Sequence, residues 1–144
     1  MKSQSFRLRA SVVVLAACGS QYALAADMST LPPAHTDGAV TYLSGGIGSD
    51  QSAAFKSAMH NYPLALEFVG TTASGNDYLA DVPVTISDSH GKHLLSTRSD
   101  GPFMLVSLPS GRYDLTATYH GKTERREVSV SDATHAREMF AWPM

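Results

Sequence analysis

Apolar and polar residues alternate strictly across residues 113–119, with Tyr113, Leu115, Ala117 and Tyr119 on one side and Asp114, Thr116 and Thr118 on the other. A period of two is the mark of a strand that turns one face to a core and the other to water. An apolar run over residues 103–108 precedes it across Pro109-Ser110-Gly111, where a fixed φ and a permissive backbone suit a reversal. The two runs are therefore expected to form a β-hairpin. Asp100-Gly101-Pro102 marks another tight turn one strand earlier. From Leu64 onward the pattern recurs: Leu64, Leu66 and Phe68 alternate with Ala65 and Glu67, and Val82, Val84 and Ile86 with Pro83, Thr85 and Ser87. Leu94 and Leu95 follow a Ser89-His90-Gly91-Lys92 turn, and residues 123–131 and 136–142 supply the last runs. About seven strands at short, regular spacing predict an antiparallel sandwich rather than a parallel sheet. Pro83 lacks an N–H and is expected at an edge or a bulge. Residues 70–77 are the longest polar interruption and read as a mobile loop.

Upstream, residues 40–43 read as a short strand, followed by the glycine-dense Ser44-Gly45-Gly46-Ile47-Gly48 and one helix over about residues 49–62. Ser49 suits its N-cap and Asp50 the positive end of its dipole; Ala54, Phe55, Ala58, Met59 and Tyr62 recur at helical spacing until Pro63. That stripe is expected to pack on the sheet, with Phe55 and Met59 in the core. Glycines ahead of a helix are able to cradle an anion, but no phosphate-binding lysine follows in a strand–glycine–helix unit, so they read as the turn leading into the helix. Residues 26–39, with Pro32-Pro33 and no period, read as an extended or flexible lead-in to a single domain over residues 40–144.

Residues 1–25 have the form of an export signal: Lys2, Arg7 and Arg9 precede an apolar run over residues 10–17, much shorter than the roughly 20 residues of a membrane span. Two processing readings stand side by side. Ala23-Leu24-Ala25 suits an ordinary signal peptidase site, which would release a periplasmic protein. Leu15-Ala16-Ala17-Cys18-Gly19 has the form of a lipobox, in which Cys18 becomes the lipidated first residue and anchors the chain to the envelope. Membrane contact is expected only in the second case. Cys18 is the single cysteine, so neither an intrachain disulfide nor a thiolate metal cluster is available.

A formal charge of -2 gives no broad basic field for nucleic acid. Lys122, Arg125 and Arg126 cluster, but beside Glu124 and Glu127, as on a solvated strand. Of six histidines only His90 and His93 are close in sequence; they are weak metal candidates, since a strong site needs three or four ligands. Asp77, Asp81 and Asp88 fall where aspartates satisfy turn backbones, and Ser44-Gly45-Gly46 lacks the setting of a nucleophile elbow. No catalytic residue and no cofactor are expected; Tyr113, Phe140 and Trp142 belong to the core or its rim.

Ala80-Asp81-Val82-Pro83-Val84-Thr85-Ile86, then Ser99-Asp100-Gly101-Pro102-Phe103, then Leu108-Pro109-Ser110-Gly111-Arg112-Tyr113-Asp114-Leu115 resemble the carboxypeptidase regulatory-like domain over residues 64–142. The resemblance implies a seven-stranded transthyretin-like sandwich, here with one N-terminal helix. In the carboxypeptidases that domain accompanies a separate zinc peptidase domain, so no catalytic residues carry over. The amino-terminal Tyr42-Leu43-Ser44-Gly45-Gly46-Ile47-Gly48 and the helix resemble those of small exported proteobacterial proteins with this domain. The expectation is a non-catalytic exported sandwich of the cell envelope, binding an unspecified protein or ligand through end loops or a sheet edge. The alternatives are a small transthyretin-related hydrolase, whose Tyr-Arg-Gly-Ser type tail is replaced here by Ala141-Trp142-Pro143-Met144, and a metal-binding protein centred on His90 and His93.

Overall fold

The computed structural model describes residues 31–144. The export signal, Cys18 and the first part of the lead-in lie outside the described residues. Ten strands are present among them: β1 (His35–Asp37), β2 (Val40–Gly45), β3 (Leu64–Thr72), β4 (Gly75–Tyr78), β5 (Pro83–Asp88), β6 (His93–Arg98), β7 (Phe103–Ser107), β8 (Gly111–Tyr119), β9 (Lys122–Val130) and β10 (Ala136–Pro143). The helix α1 (Ser49–Ala58) continues into a short 3-10 turn over Met59–Asn61. Sheet A has the order β1-β2-β7-β3-β10, with β4 on the later half of β3; sheet B has the order β6-β5-β8-β9. Strand β10 runs parallel to β3, whereas every other pairing is antiparallel.

This is a mainly β, two-sheet sandwich, and besides that parallel pair, which makes sheet A mixed, it departs from the expected seven-stranded antiparallel form in three ways. First, residues 70–77 are not a loop. They carry the end of β3 and most of β4, which pair from Val69↔Tyr78 to Thr72↔Gly75. Polar side chains hid this hairpin because β4 is exposed along its whole length and needs no apolar face. Second, β1 forms within the lead-in and pairs with β2. Third, the expected hairpin across Pro109-Ser110-Gly111 does not exist: β7 belongs to sheet A and β8 to sheet B, so that turn carries the chain from one sheet to the other. The Asp100-Gly101-Pro102 turn is likewise a crossover, from β6 to β7. The hairpins actually formed by β8 are with β9, through His120 and Gly121, both at positive φ (47° and 76°) as a tight two-residue turn requires.

The helix lies between β2 and β3 and is not N-terminal. Its N-cap is Gly48, at φ 88°, and Ser49 is already helical. Glycine tolerates that backbone, and Gln51 Oε1 accepts the Gly46 N–H at 2.8 Å, so the glycine turn is tied off by the helix's own side chain. Phe55 and Met59 pack with Leu43, Ala65, Phe103 and Leu105 beneath the helix. Sheet A is thus covered on both faces over β7, and all of Phe103, Met104, Leu105 and Val106 are buried. The larger core fills the space between the sheets and includes Phe68, Ile86, Leu115, Phe140 and Trp142. Pro83 is the first residue of the inner strand β5, paired to Arg98 on β6, rather than at an edge; the only irregularity in that pairing falls between Ile86 and Ser87.

Candidate functional site

Strand register sets out the exposed face of sheet B row by row. His93 lies opposite Ser87, Ser87 opposite Asp114, and Asp114 opposite Glu127. The next row is Ser96, Thr85, Thr116 and Arg125; beyond it come Arg98 with Pro83, and Thr118 with Thr123. Neighbouring strands present same-face side chains side by side, so the register alone makes a sheet of hydroxyls with charges set into it. The inward partners on these strands, Val84, Ile86, Leu115, Ala117, Val128 and Val130, all join the central core. Among the described residues no apolar cluster covers the outward side, in contrast to the helix-covered side of sheet A.

The face is pinned at its middle by Arg125, whose Nη2 donates to Asp114 Oδ2 at 2.8 Å. Asp114 is the more sheltered partner, with 28% of its side chain exposed against 69% for Arg125. Concavities of about 290 and 380 Å³ meet at this pair; Arg112 and Glu127 border the first, and His93, Ser87 and Thr116 the second. A third, of about 420 Å³, lies where the face reaches the end of the sandwich, bordered by Arg98, Asp81, Tyr119 and His120. Asp81 (φ 58°) and His120 (φ 47°) are the non-glycine residues at positive φ among the described residues, and both line this end concavity.

The residues singled out in the sequence are placed as follows. His90 is exposed on the β5–β6 turn and His93 is exposed at the start of β6, where it borders the central part of the face. No group of three or more His, Cys, Asp or Glu side chains able to hold a metal occurs among the described residues. The turn itself is organised by Asp88, whose Oδ1 accepts the N–H groups of His90 and Lys92, each at 2.9 Å. The Lys92 amide, followed by the His90 amide, holds the Asp88 carboxyl below its ordinary range against the opposing effect of desolvation. Ser44 is buried, and its Oγ accepts the Asp100 N–H at 2.7 Å, an assignment that leaves it a structural residue. Lys122, Arg125 and Arg126 do not form one patch: Arg125 faces Asp114 on the outer side, and Arg126 turns to Glu124 and lies 5.3 Å over the Phe140 ring.

The gathering of Asp81, Arg98, Tyr119 and His120 was not visible in the sequence. They come from the β4–β5 connection, the end of β6, the end of β8 and the β8–β9 turn, and the β6-β5-β8 order of sheet B brings those ends together. A larger concavity, about 570 Å³, lies on the solvent side of α1 and is lined by Ala53, Ala54, Ser57 and Ala58 with Leu31; Asp50 is the charged residue on its border. Such small apolar residues supply little chemistry. No helix among the described residues is long and apolar enough to cross a membrane. No protein-family model matches the chain, and no curated protein matches it either. What the fold and this face define is a class: a mainly β two-sheet sandwich, helix-covered on one side and polar on the other.

Proposed function

We propose that this protein is an exported, non-catalytic binding module of the bacterial cell envelope, of the carboxypeptidase regulatory-like, transthyretin-like type, and that it engages its partner through the outer face of sheet B. The observation that carries the reading is the asymmetry of the two sides. Sheet A spends its outer side on the helix, whereas sheet B leaves a rigid four-strand surface whose hydroxyls and charges come from secondary structure rather than from loops. Functional groups on strands are held more precisely than on loops, which suits recognition. Export rests on the basic start and apolar run of residues 1–25, with release after Ala25 or lipid anchoring at Cys18.

A photoreactive side chain introduced at Thr116, in the middle of the face, tests this in the native envelope, with one at Ser57 on the helix as the control. The expected result is a discrete adduct from Thr116, absent from Ser57 and lost when Arg125→Glu reverses the charge beside Asp114. No adduct at Thr116, or equal adducts at both positions, would overturn the reading.

A further inference from the structure

We infer that the end concavity of this face is a site for a small oxyanion, a phosphate or carboxylate group, with Arg98 and His120 as its donors and Asp81 as a built-in competitor. The inference rests on the reading of sheet B's outer face as the binding surface and names the chemistry of one end of it. Arg98 presents a planar fork of five N–H donors, of which the structure commits one: Nη1 donates to Asp81 Oδ2 at 3.2 Å. The rest of the fork is open, since 65% of the Arg98 side chain is exposed. His120 stacks on Tyr119 with ring centroids 4.1 Å apart and planes 13° apart, so its ring is held by its flat face while its nitrogen edge stays clear of that contact. Tyr119 is in turn fixed against the buried Trp142, at 5.8 Å. An arginine fork, an oriented imidazole and a nearby phenol bordering a concavity of about 420 Å³ form a donor-rich set for a ligand with two or three acceptor oxygens.

Asp81 gives the set its particular character. Its backbone is in the left-handed region, and its N–H donates to Ser99 O at 2.7 Å, so the carboxylate is held beside Arg98 by the main chain. A carboxylate so placed occupies the guanidinium when no ligand is present and repels an incoming anion. Asn tolerates a left-handed backbone, and replacing either Asp81 or His120 by Asn therefore changes the chemistry while sparing the turn. This gives variants with opposite expected signs, which no general loss of folding imitates.

Inorganic phosphate and acetate, titrated into the full-length protein at constant ionic strength against chloride, are the probes, followed through the amide signals of Arg98, His120 and Gly121. The expected result is a saturable shift with phosphate, acetate or both. Arg98→Gln should weaken it about tenfold or more and His120→Asn about fivefold, while Asp81→Asn should tighten it about threefold, with unchanged thermal unfolding in Arg98→Gln. No saturable shift with phosphate or acetate, a shift that chloride reproduces equally, or an Asp81→Asn variant that binds less well, would overturn the inference. Loss of phosphate and acetate binding with the Thr116 adduct intact removes the oxyanion site alone; loss of the adduct with anion binding intact removes the wider reading of the face alone.

Discussion

Tyr113 shows how one side chain holds a sheet-to-sheet corner. It begins the buried face of β8, and its hydroxyl donates to the carbonyl of Pro109 at 2.5 Å, four residues back on the crossover. A tyrosine bonded to the backbone just upstream of its own strand is a recurrent corner device in β-sandwiches. Burial, with the charge of Asp88 adding to it, pushes the phenol's pKa up, so the proton is retained for that bond. Tyr113→Phe keeps the ring and removes the donor; urea unfolding should show a loss of about 1 to 2 kcal/mol. Gly101 holds the other corner for a different reason. Its φ is ordinary, but a Cβ there would meet the carbonyl of Gly45 on β2, a backbone group with nowhere to retreat. Gly101→Ala should cost about 3 kcal/mol in the same measurement, an unusually large penalty for one methyl group. Asp88 adds a pH dependence of known sign. Its folded-state pKa lies below the ordinary 3.8 because two backbone N–H groups bond the charged form. The carboxylate therefore stabilises the β5–β6 turn fully above the unfolded value and ceases to do so as pH falls through the folded one. In NMR titration the amide signals of His90 and Lys92 should shift together with a midpoint below 3.8, and Asp88→Ala should abolish the shift.

Among the elements, the helix and the alternating strands were legible and the partnerships were not. Phe55 and Met59 were readable as core from helical spacing, and both are buried against sheet A. Phe55 stacks on Phe103 at 6.0 Å and is fully buried, so Phe55→Ala should cost about 3 to 5 kcal/mol, with much of this regained in Phe55→Leu. A larger loss from Lys56→Ala, on the exposed side of α1, would refute that assignment of faces. A period of two states which residues share a face, but it says nothing of which strand lies alongside. That is why β7 and β8 read as a hairpin though they lie in different sheets. A clue was present: four consecutive buried residues, Phe103 to Val106, require cover on both faces, which a half-exposed hairpin strand does not have. The parallel pairing of β10 with β3 left no mark in the sequence either. It follows from the Ser131–Thr134 turn, which folds β10 back beside β9 and onto the other sheet. The candidate face was half legible. The outward positions of Asp114, Thr116 and Thr118 follow from alternation, whereas the approach of Arg98, Asp81 and His120 depends on the order of strands in sheet B, which alternation does not encode.

At the scale of the whole molecule, these crossovers decide how the domain comes apart. The chain passes between sheets four times, at β4–β5, β6–β7, β7–β8 and β9–β10, so neither sheet is a continuous stretch of sequence that is able to detach with its own hydrogen bonds. One line along which it could open is the seam between β9 and β10, edge strands of different sheets without a strand ladder between them. It is held by Trp142 Nε1–H donating to Lys122 O at 2.9 Å and by Arg126, which reaches Glu138 on β10 at 4.0 Å and lies over Phe140. Trp142 is the only tryptophan, it is buried, and it sits on this seam. Its fluorescence therefore reports the seam, while far-UV circular dichroism reports both sheets. Opening the seam would expose Trp142 and Phe140 together, and burial of such rings is worth several kcal/mol, more than the one or two hydrogen bonds an opened edge would gain from water. The two signals should accordingly follow one transition in guanidinium chloride, as a small domain with a shared core does. A fluorescence change that precedes the loss of dichroism would instead make the β9–β10 seam a separately opening edge, and would place the domain's first exposed strands there.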